Sequence, residues 1–533
     1  MNVIPDSILT LCNNVPIDNT YKHTIYFGSK SSQQSYFAGK KKYSFTDYSY
    51  IREHQTIRVP LKADLLFDCN YMMYQNTSFG TKWFYAFITN VEYVNNECSE
   101  VTFEIDVMQT WLINTDYTIK PSFVEREHVS DDRIGFNLIE EGLETGEYII
   151  YDTQESVGTT NGTDEIDMFG IGYIIAVSDN SPTGSTTQIG GLHNRVYSGL
   201  EYWFFDNNTA DDMKNFIMNY ITAGKSNAII FIACIPKFCC TAEPGTKVGM
   251  LDEQGYFKVE INQPPSIDGY QPKNNKLFTY PYNLLFVTNN QGTGTPYRYE
   301  LFGKIGTELS VKFMIGGIIG PNPVIMAYPL NYKIGEQQIN QDKDIINPDY
   351  ALSIQGYPLC SWTDDLYKAW LVQNGTYTAI NIGASAISAI GGAISGNPLV
   401  TAGGVLGVIN QIQQVYKASL QPDAAKGNVN SSSINIFMGY QQFYFQKMQI
   451  RQEYAKKIDD FFSYYGYKVN AFKVPNINTR PHWNYVKTID ICITGSVPAN
   501  DMKKIQKIYD DGITIWKNGS EVGNYNLDNK IGG

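Results

Sequence analysis

Trp83-Phe-Tyr-Ala-Phe-Ile-Thr-Asn-Val-Glu-Tyr-Val94, the pair Asn95-Asn96, and Val101-Thr-Phe-Glu-Ile-Asp-Val107 are the stretch that decides the fold class. The second run alternates strictly. Val101, Phe103, Ile105 and Val107 fall on one face, and Thr102, Glu104 and Asp106 on the other. A strand repeats its side-chain direction every two residues, so this is a half-buried strand. The first run is rich in aromatic and β-branched residues, which fit a pleated surface. The asparagine pair between them signals a hairpin turn. Working outward, Thr56-Ile-Arg-Val59 and Leu65-Leu-Phe67 predict further strands. A long antiparallel sheet of this kind can line a tube built by a ring of subunits.

The charge cluster Glu125-Arg-Glu-His-Val-Ser-Asp-Asp-Arg133 reads as a linker leaving the sheet. Beyond it, Ile171 to Ser178 and Ala228 to Ile235 are near-continuous apolar runs, read as buried strands. Between them Thr209 can cap a helix, with Asp212 three residues on. Its apolar stripe is Met213, Phe216, Ile217, Tyr220 and Ile221, and Gly224 stops it. Asn262-Gln-Pro-Pro265 marks a boundary before a second β unit, Leu284 to Thr288, a turn at Asn289 to Gly292, and Tyr297 to Phe302. Near the end, Ile434 to Phe437 and Phe443 to Phe445 read as strands. Helices are expected over about Gln449 to Tyr465 and Ala499 to Asp510.

One stretch is unlike the rest. Between Lys368 and Lys417 there is no Asp, Glu, Lys, Arg or His. Two apolar arms flank the turn Asn397-Pro398. The first carries Ile380, Ile382, Ile387, Ile390 and Ile394; the second carries Leu399, Val400, Val405, Leu406, Val408 and Ile409. Each arm can form a helix of roughly 18–20 residues, which just spans a hydrocarbon layer. Gly392 and Gly396 before the turn, and Gly403 and Gly407 after it, sit at the spacing that lets helix backbones approach in lipid. A permanent core hairpin would show a charged outer face. The absence of one predicts a membrane-inserting hairpin that stays covered until use. A buried hairpin inside an oligomer is the competing reading.

Composition narrows the classes. Charged residues make up 18% of the 533, aromatics 14%, and the formal net charge is −12. That charge argues against nucleic-acid binding through a basic face, though an acidic channel that nucleic acid passes without sticking is allowed. Cys12, Cys69, Cys98, Cys234, Cys239, Cys240, Cys360 and Cys492 show no C-x-x-C pair and read as free buried thiols. The start, Met1 to Asp6, has neither a basic nor an apolar region of a signal peptide, so folding in a cytoplasm is expected. His23, His54, His128, His193 and His482 show no metal-ligand spacing, and no nucleophile elbow or P-loop is present. Glu140-Glu141 and Asp211-Asp212 are adjacent carboxylates, which is not the geometry of a glycosidase pair. Asp131-Asp132 reads as a solvated turn rather than a calcium loop. No catalytic residue, metal or cofactor is expected.

The order of stretches resembles the tail knob, or distal tail tube, proteins of phi29-like short-tailed phages of Gram-positive bacteria. The stretches are Val15-Pro16 through Thr56 to Pro60, Cys69 to Met72, Glu104 to Trp111, Phe123 to Val129, Gly142 to Gly146, Pro272 to Asn283, Phe461 to Tyr467, Arg480 to Lys487 and Gly512 to Trp516. The resemblance implies a mainly β chain with an α/β insert, whose antiparallel sheets build a hexameric tube bearing a knob. On that basis residues 1–128 are expected to begin the tube domain and 129–260 to form the knob insert. Residues 261–368 would form a second tube unit, 369–417 the membrane-active loop, and 418–533 the part that completes the tube. Six such loops would plug the lumen, then leave it and form a pore in the host cytoplasmic membrane. The implied partners are five further copies, a lower collar or proximal tail protein, a tail-tip wall-degrading protein, membrane lipid, and phage DNA passing without specific binding. The implied place is the tail tip of the virion. A secreted pore-forming toxin and a virion-associated wall hydrolase are the alternatives.

Overall fold

The computed structural model describes residues 8–531, except 47, 52–54, 76–79, 115, 132–133, 156, 161–163, 168–169, 180–191, 194–195, 198–199, 226–227, 249–254, 304–309, 319–322, 335–343, 358, 362–427, 430–441 and 477–483. The fold is mainly β, with antiparallel sheets. The chain divides into two compact units. The first holds residues 1–146, 269–281 and 451–533; the second holds 147–268 and 282–450.

The first unit is built on a seven-stranded antiparallel sheet. Its order is Lys41–Phe45, Leu9–Asn13, Cys69–Gln75, Trp83–Asn95, Cys98–Ile105, Thr56–Val59 and Ser49–Ile51. The hairpin read from the sequence is its centre: Val91 faces Val101, Glu92 faces Glu100 and Tyr93 faces Ser99. Val101 and Phe103 are buried, as the alternation requires, and they join Leu9, Leu11, Ile57, Tyr71 and Phe87 in one core. Leu65 to Phe67 is not a strand. Ala63–Leu65 is a single 3-10 turn after Pro60, which leaves Leu65 and Phe67 exposed and only Leu66 buried. A five-stranded sheet follows the order His23–Ile25, Ile513–Trp516, Asn484–Ile489, Ser122–Glu127 and Tyr467–Lys473. The helix Ala499–Asp511 buries Ile505, Ile508 and Tyr509 and ends at Gly512, whose φ is +95°.

The helix expected from Gln449 begins later, at Gln452, and runs to Tyr465. Gln449 and Ile450 belong instead to the strand Tyr444–Ile450, in the second unit. That strand is paired on both sides, with Tyr148–Glu155 and with Asn283–Thr288, so ladder hydrogen bonds win over local helix propensity.

In the second unit Ile171–Val177 lies between Glu201–Asp206 and Ile229–Pro236. It reads as an unbroken apolar run because both its faces are covered. Tyr173, Ile175 and Val177 pack on Met213, Ile217 and Tyr220 of the helix Ala210–Thr222. Ile174 and Ala176 enter a separate core with Phe204, Phe231 and Phe313. Thr209 stands at the N-cap of that helix, as expected, but its side chain makes no cap hydrogen bond to it. Asp206 and Thr209 exchange a capping box that opens the turn Asn207–Thr209. Tyr256–Asn262 pairs along its length with Ser310–Ile318. The expected strand Tyr297 to Phe302 is cut short: Gly294–Tyr297 pairs with Asn283–Thr288, and Tyr299–Leu301 is a 3-10 turn.

Candidate functional site

The charge-free stretch lies within residues 362–427, outside the described residues, so the hairpin from Ile380 to Ile409 and its Asn397-Pro398 turn are not placed here. Ile434 to Phe437 and Arg480 to Trp483 lie outside them as well. What is described is the frame of that stretch. Leu359–Ser361 precedes it and Asn428–Val429 follows it. The two pair directly, Cys360 opposite Val429 and Ser361 opposite Asn428. Leu359–Ser361 also pairs with Ile229–Pro236, so both ends are tied into one six-stranded sheet. The stretch therefore leaves and returns at the same sheet edge. No helix among the described residues is long and apolar enough to cross a membrane.

A second site, in the first unit, collects many of the stretches through which the family resemblance was read. The segment Gly269–Pro281 is held by Asp459 of the helix Gln452–Tyr465. Asp459 is fully buried and accepts from Tyr270 Oη (2.7 Å), Lys273 N (2.8 Å), Asn274 N (3.0 Å) and Asn274 Nδ2 (2.6 Å). Asn274 also donates to Ser463 Oγ at 3.0 Å. One residue on, Asn275 N donates to Asp131 Oδ2 at 2.7 Å, and Tyr467 Oη donates to the same oxygen at 2.8 Å. Asp131 is thus a structural acceptor rather than a solvated turn residue.

Lys276 is 4% exposed and pairs with the buried carboxylate of Glu141, which Arg126 Nη1 also meets at 2.5 Å. Burial pushes the Glu141 carboxyl up, but Lys276 and Arg126 outweigh it and hold the group below the usual carboxylate range. Burial pulls the Lys276 ammonium down, partly offset by Glu141. The Glu141 carboxylate meets two cations, Lys276 and Arg126, and a buried charge is tolerated when it is paired in this way. His128, fully buried, accepts from Tyr485 N through Nδ1 (2.7 Å), which leaves Nε2 to donate to Ser463 O (3.2 Å). Gly466 ends the helix with φ +63°; a Cβ there would strike the Glu127 carbonyl. His128, Asp459, Asp131, Glu141 and Gly466 of these motifs build a clamp.

The other candidates are dispersed. Among the described residues no group of three or more His, Cys, Asp or Glu is placed to hold a metal ion. Burial pushes the Cys12 and Cys234 thiols up to about 12 and Cys69 to about 11, so none of the three is a ready nucleophile. Cys492, expected buried, is exposed. Sequence reading missed Asp106. This buried residue caps the helix Val107–Trp111 through Gln109 N (3.0 Å) and accepts from Tyr71 Oη (2.9 Å). Its placement in an alternating strand concealed the cap.

Comparison with known proteins places this architecture. Residues 5–116 match the caudoviral major tail protein N-terminus. The fold is similar to the structure of the bacteriophage C1 tail knob protein gp12, with a TM-score of 0.66 and 15% identity over 97% of this chain and 98% of that one. The class these two define is a fold of phage tail proteins. Residues 252–530, more than half the chain, match the C-terminal domain of the tail knob protein gp9 of Bacillus phage phi29, and the chain belongs to that family. The tail knob proteins gp9 of Bacillus phages PZA and phi29 are each 27% identical to it, over 97% of both chains.

Proposed function

We propose that the chain forms the tip of a phage tail as a closed ring, six-fold by resemblance, through which the genome leaves. The first unit supplies the tube wall; the match of residues 5–116 to a major tail protein supports that assignment. The apolar stretch closes the lumen before infection and then enters the host cytoplasmic membrane. The observation that carries this reading is the paired base of residues 362–427, which presents a charge-free stretch from one fixed edge. The ring docks on a proximal tail or collar protein, works beside a separate wall-degrading protein, and passes DNA without specific binding. It performs no reaction of its own.

The test uses the purified chain and liposomes loaded with a self-quenching dye. The parent releases dye, and a variant lacking residues 383–409 assembles but does not. Equal release by both removes the membrane role. Turbidity loss of cell walls with the pure chain would instead favour the hydrolase.

A further inference from the structure

Besides its other terminal strand, Ser49–Ile51, the seven-stranded sheet of the first unit presents, among the described residues, one basic and one acidic free edge. One is Lys41–Phe45, the terminal strand, hydrogen-bonded only to Leu9–Asn13. Lys40 and the exposed Lys41 stand at its start, beside Lys42, which is already held by Asp68 at 2.5 Å. The other edge belongs to Trp83–Asn95, which outruns its neighbour. Its pairing with Cys69–Gln75 runs from Trp83 to Phe87 and goes no further. Beyond that point Cys98–Ile105 pairs it on one side only. Glu92, Tyr93, Val94 and Asn95 are exposed, with Tyr93 58% exposed, and the turn adds Glu97. Glu92 accepts from Asn90 Nδ2 at 3.0 Å; Glu100 on the paired strand faces Arg58.

A free edge is a row of unpaired N–H and C=O groups, a template for another strand. We propose that Lys41–Phe45 of one copy pairs with the projecting half of Trp83–Asn95, Asn90 to Asn95, of the next. Run antiparallel with Tyr43 opposite Tyr93, the pairing brings Lys40 and Lys41 to the turn that carries Glu97, while Glu92, opposite Ser44, adds to the acidic edge they approach. The two patches differ, so the contact is heterologous, the kind that runs head to tail and closes into a ring when the rotation permits. The inference deepens the ring proposed above and rests on it.

Two full-length variants test it. One carries Lys40→Glu with Lys41→Glu; the other carries Glu92→Lys with Glu97→Lys. Assembly is read by analytical ultracentrifugation over a concentration series, and folding by urea midpoints. Each variant alone is expected to need roughly tenfold more protein to assemble, since like charges then face each other. Mixed in equal amounts, they regain the parent size, because each acidic edge now meets a basic tip. Should either double variant unfold, Lys41→Glu and Glu92→Lys alone replace it, with the same mixing. A variant that assembles alone as the parent does, or a mixture that stays dissociated, overturns the pairing while leaving the ring intact. A parent that stays monomeric at micromolar concentration sinks the ring and this pairing together.

Discussion

At the residue scale the informative groups are polar and buried. Burial pushes the Asp106 carboxyl up to about 6, against the pull of the Gln109 N–H, Tyr71 and Lys504. A carboxyl whose folded pKa lies above its unfolded value near 3.8 binds more protons in the native state between those two pH values. Its contribution is therefore complete below about pH 4 and is lost as pH rises through about 6. The shift corresponds to about 3 kcal/mol. Asp106→Asn keeps an oxygen for Gln109 and has no charge to bury. Relative to the parent it should gain stability between pH 4.5 and 7, measured by urea unfolding at each pH. A difference that does not change with pH would sink this account. The cap itself was not legible in the sequence, and neither was the clamp. Asp459 meets Asn274, and Tyr467 meets Asp131, across separations that no local pattern spans. Glu141 read only as half of an adjacent pair of carboxylates; only the fold brings Lys276 and Arg126 to it.

At the element scale the long periodic segments were legible, because burial on one face forces the period. The Val101 to Val107 alternation and the stripe of Ala499–Asp511 are of this kind. The failures came where pairing decided: Tyr444–Ile450 takes residues that local pattern assigned to a helix, and Leu65 to Phe67 finds no strand partner. Helix ends were set by glycine, and one of them carries a prediction. Gly466 combines φ +63° and ψ −155° with the Glu127 carbonyl lying where a Cβ would go. Gly142 has φ +69° but open space around it. Gly466→Ala should cost at least about 2 kcal/mol, through strain and through pressure on the clamp. Gly142→Ala should cost about 1 kcal/mol, from its backbone conformation alone. Urea unfolding of both variants reads the difference; equal losses would mean that the Glu127 contact adds nothing.

At the scale of the whole molecule the question is why a chain with 18% charged residues keeps one long stretch without any. Ile390 and Val405 stand on opposite arms of that stretch, either side of Asn397-Pro398. In lipid a carboxylate in mid-arm costs on the order of 2.5–3.5 kcal/mol. In a ring the cost recurs in every copy, so a partial penalty already disables insertion. On the proposed reading the stretch lies, before use, in a water-accessible lumen, where the same charge is tolerated. Its base, Cys360 opposite Val429, is remote in sequence from both positions and has no reason to change. Ile390→Asp and Val405→Asp should therefore leave ring size and solubility as in the parent and abolish dye release from liposomes. Ile390→Leu, which keeps the apolar arm, should release dye normally. Point variants that release dye like the parent would remove insertion by these arms. Variants that no longer assemble would show instead that the stretch is a permanent core hairpin, whose partners inside the oligomer cannot accept a charge.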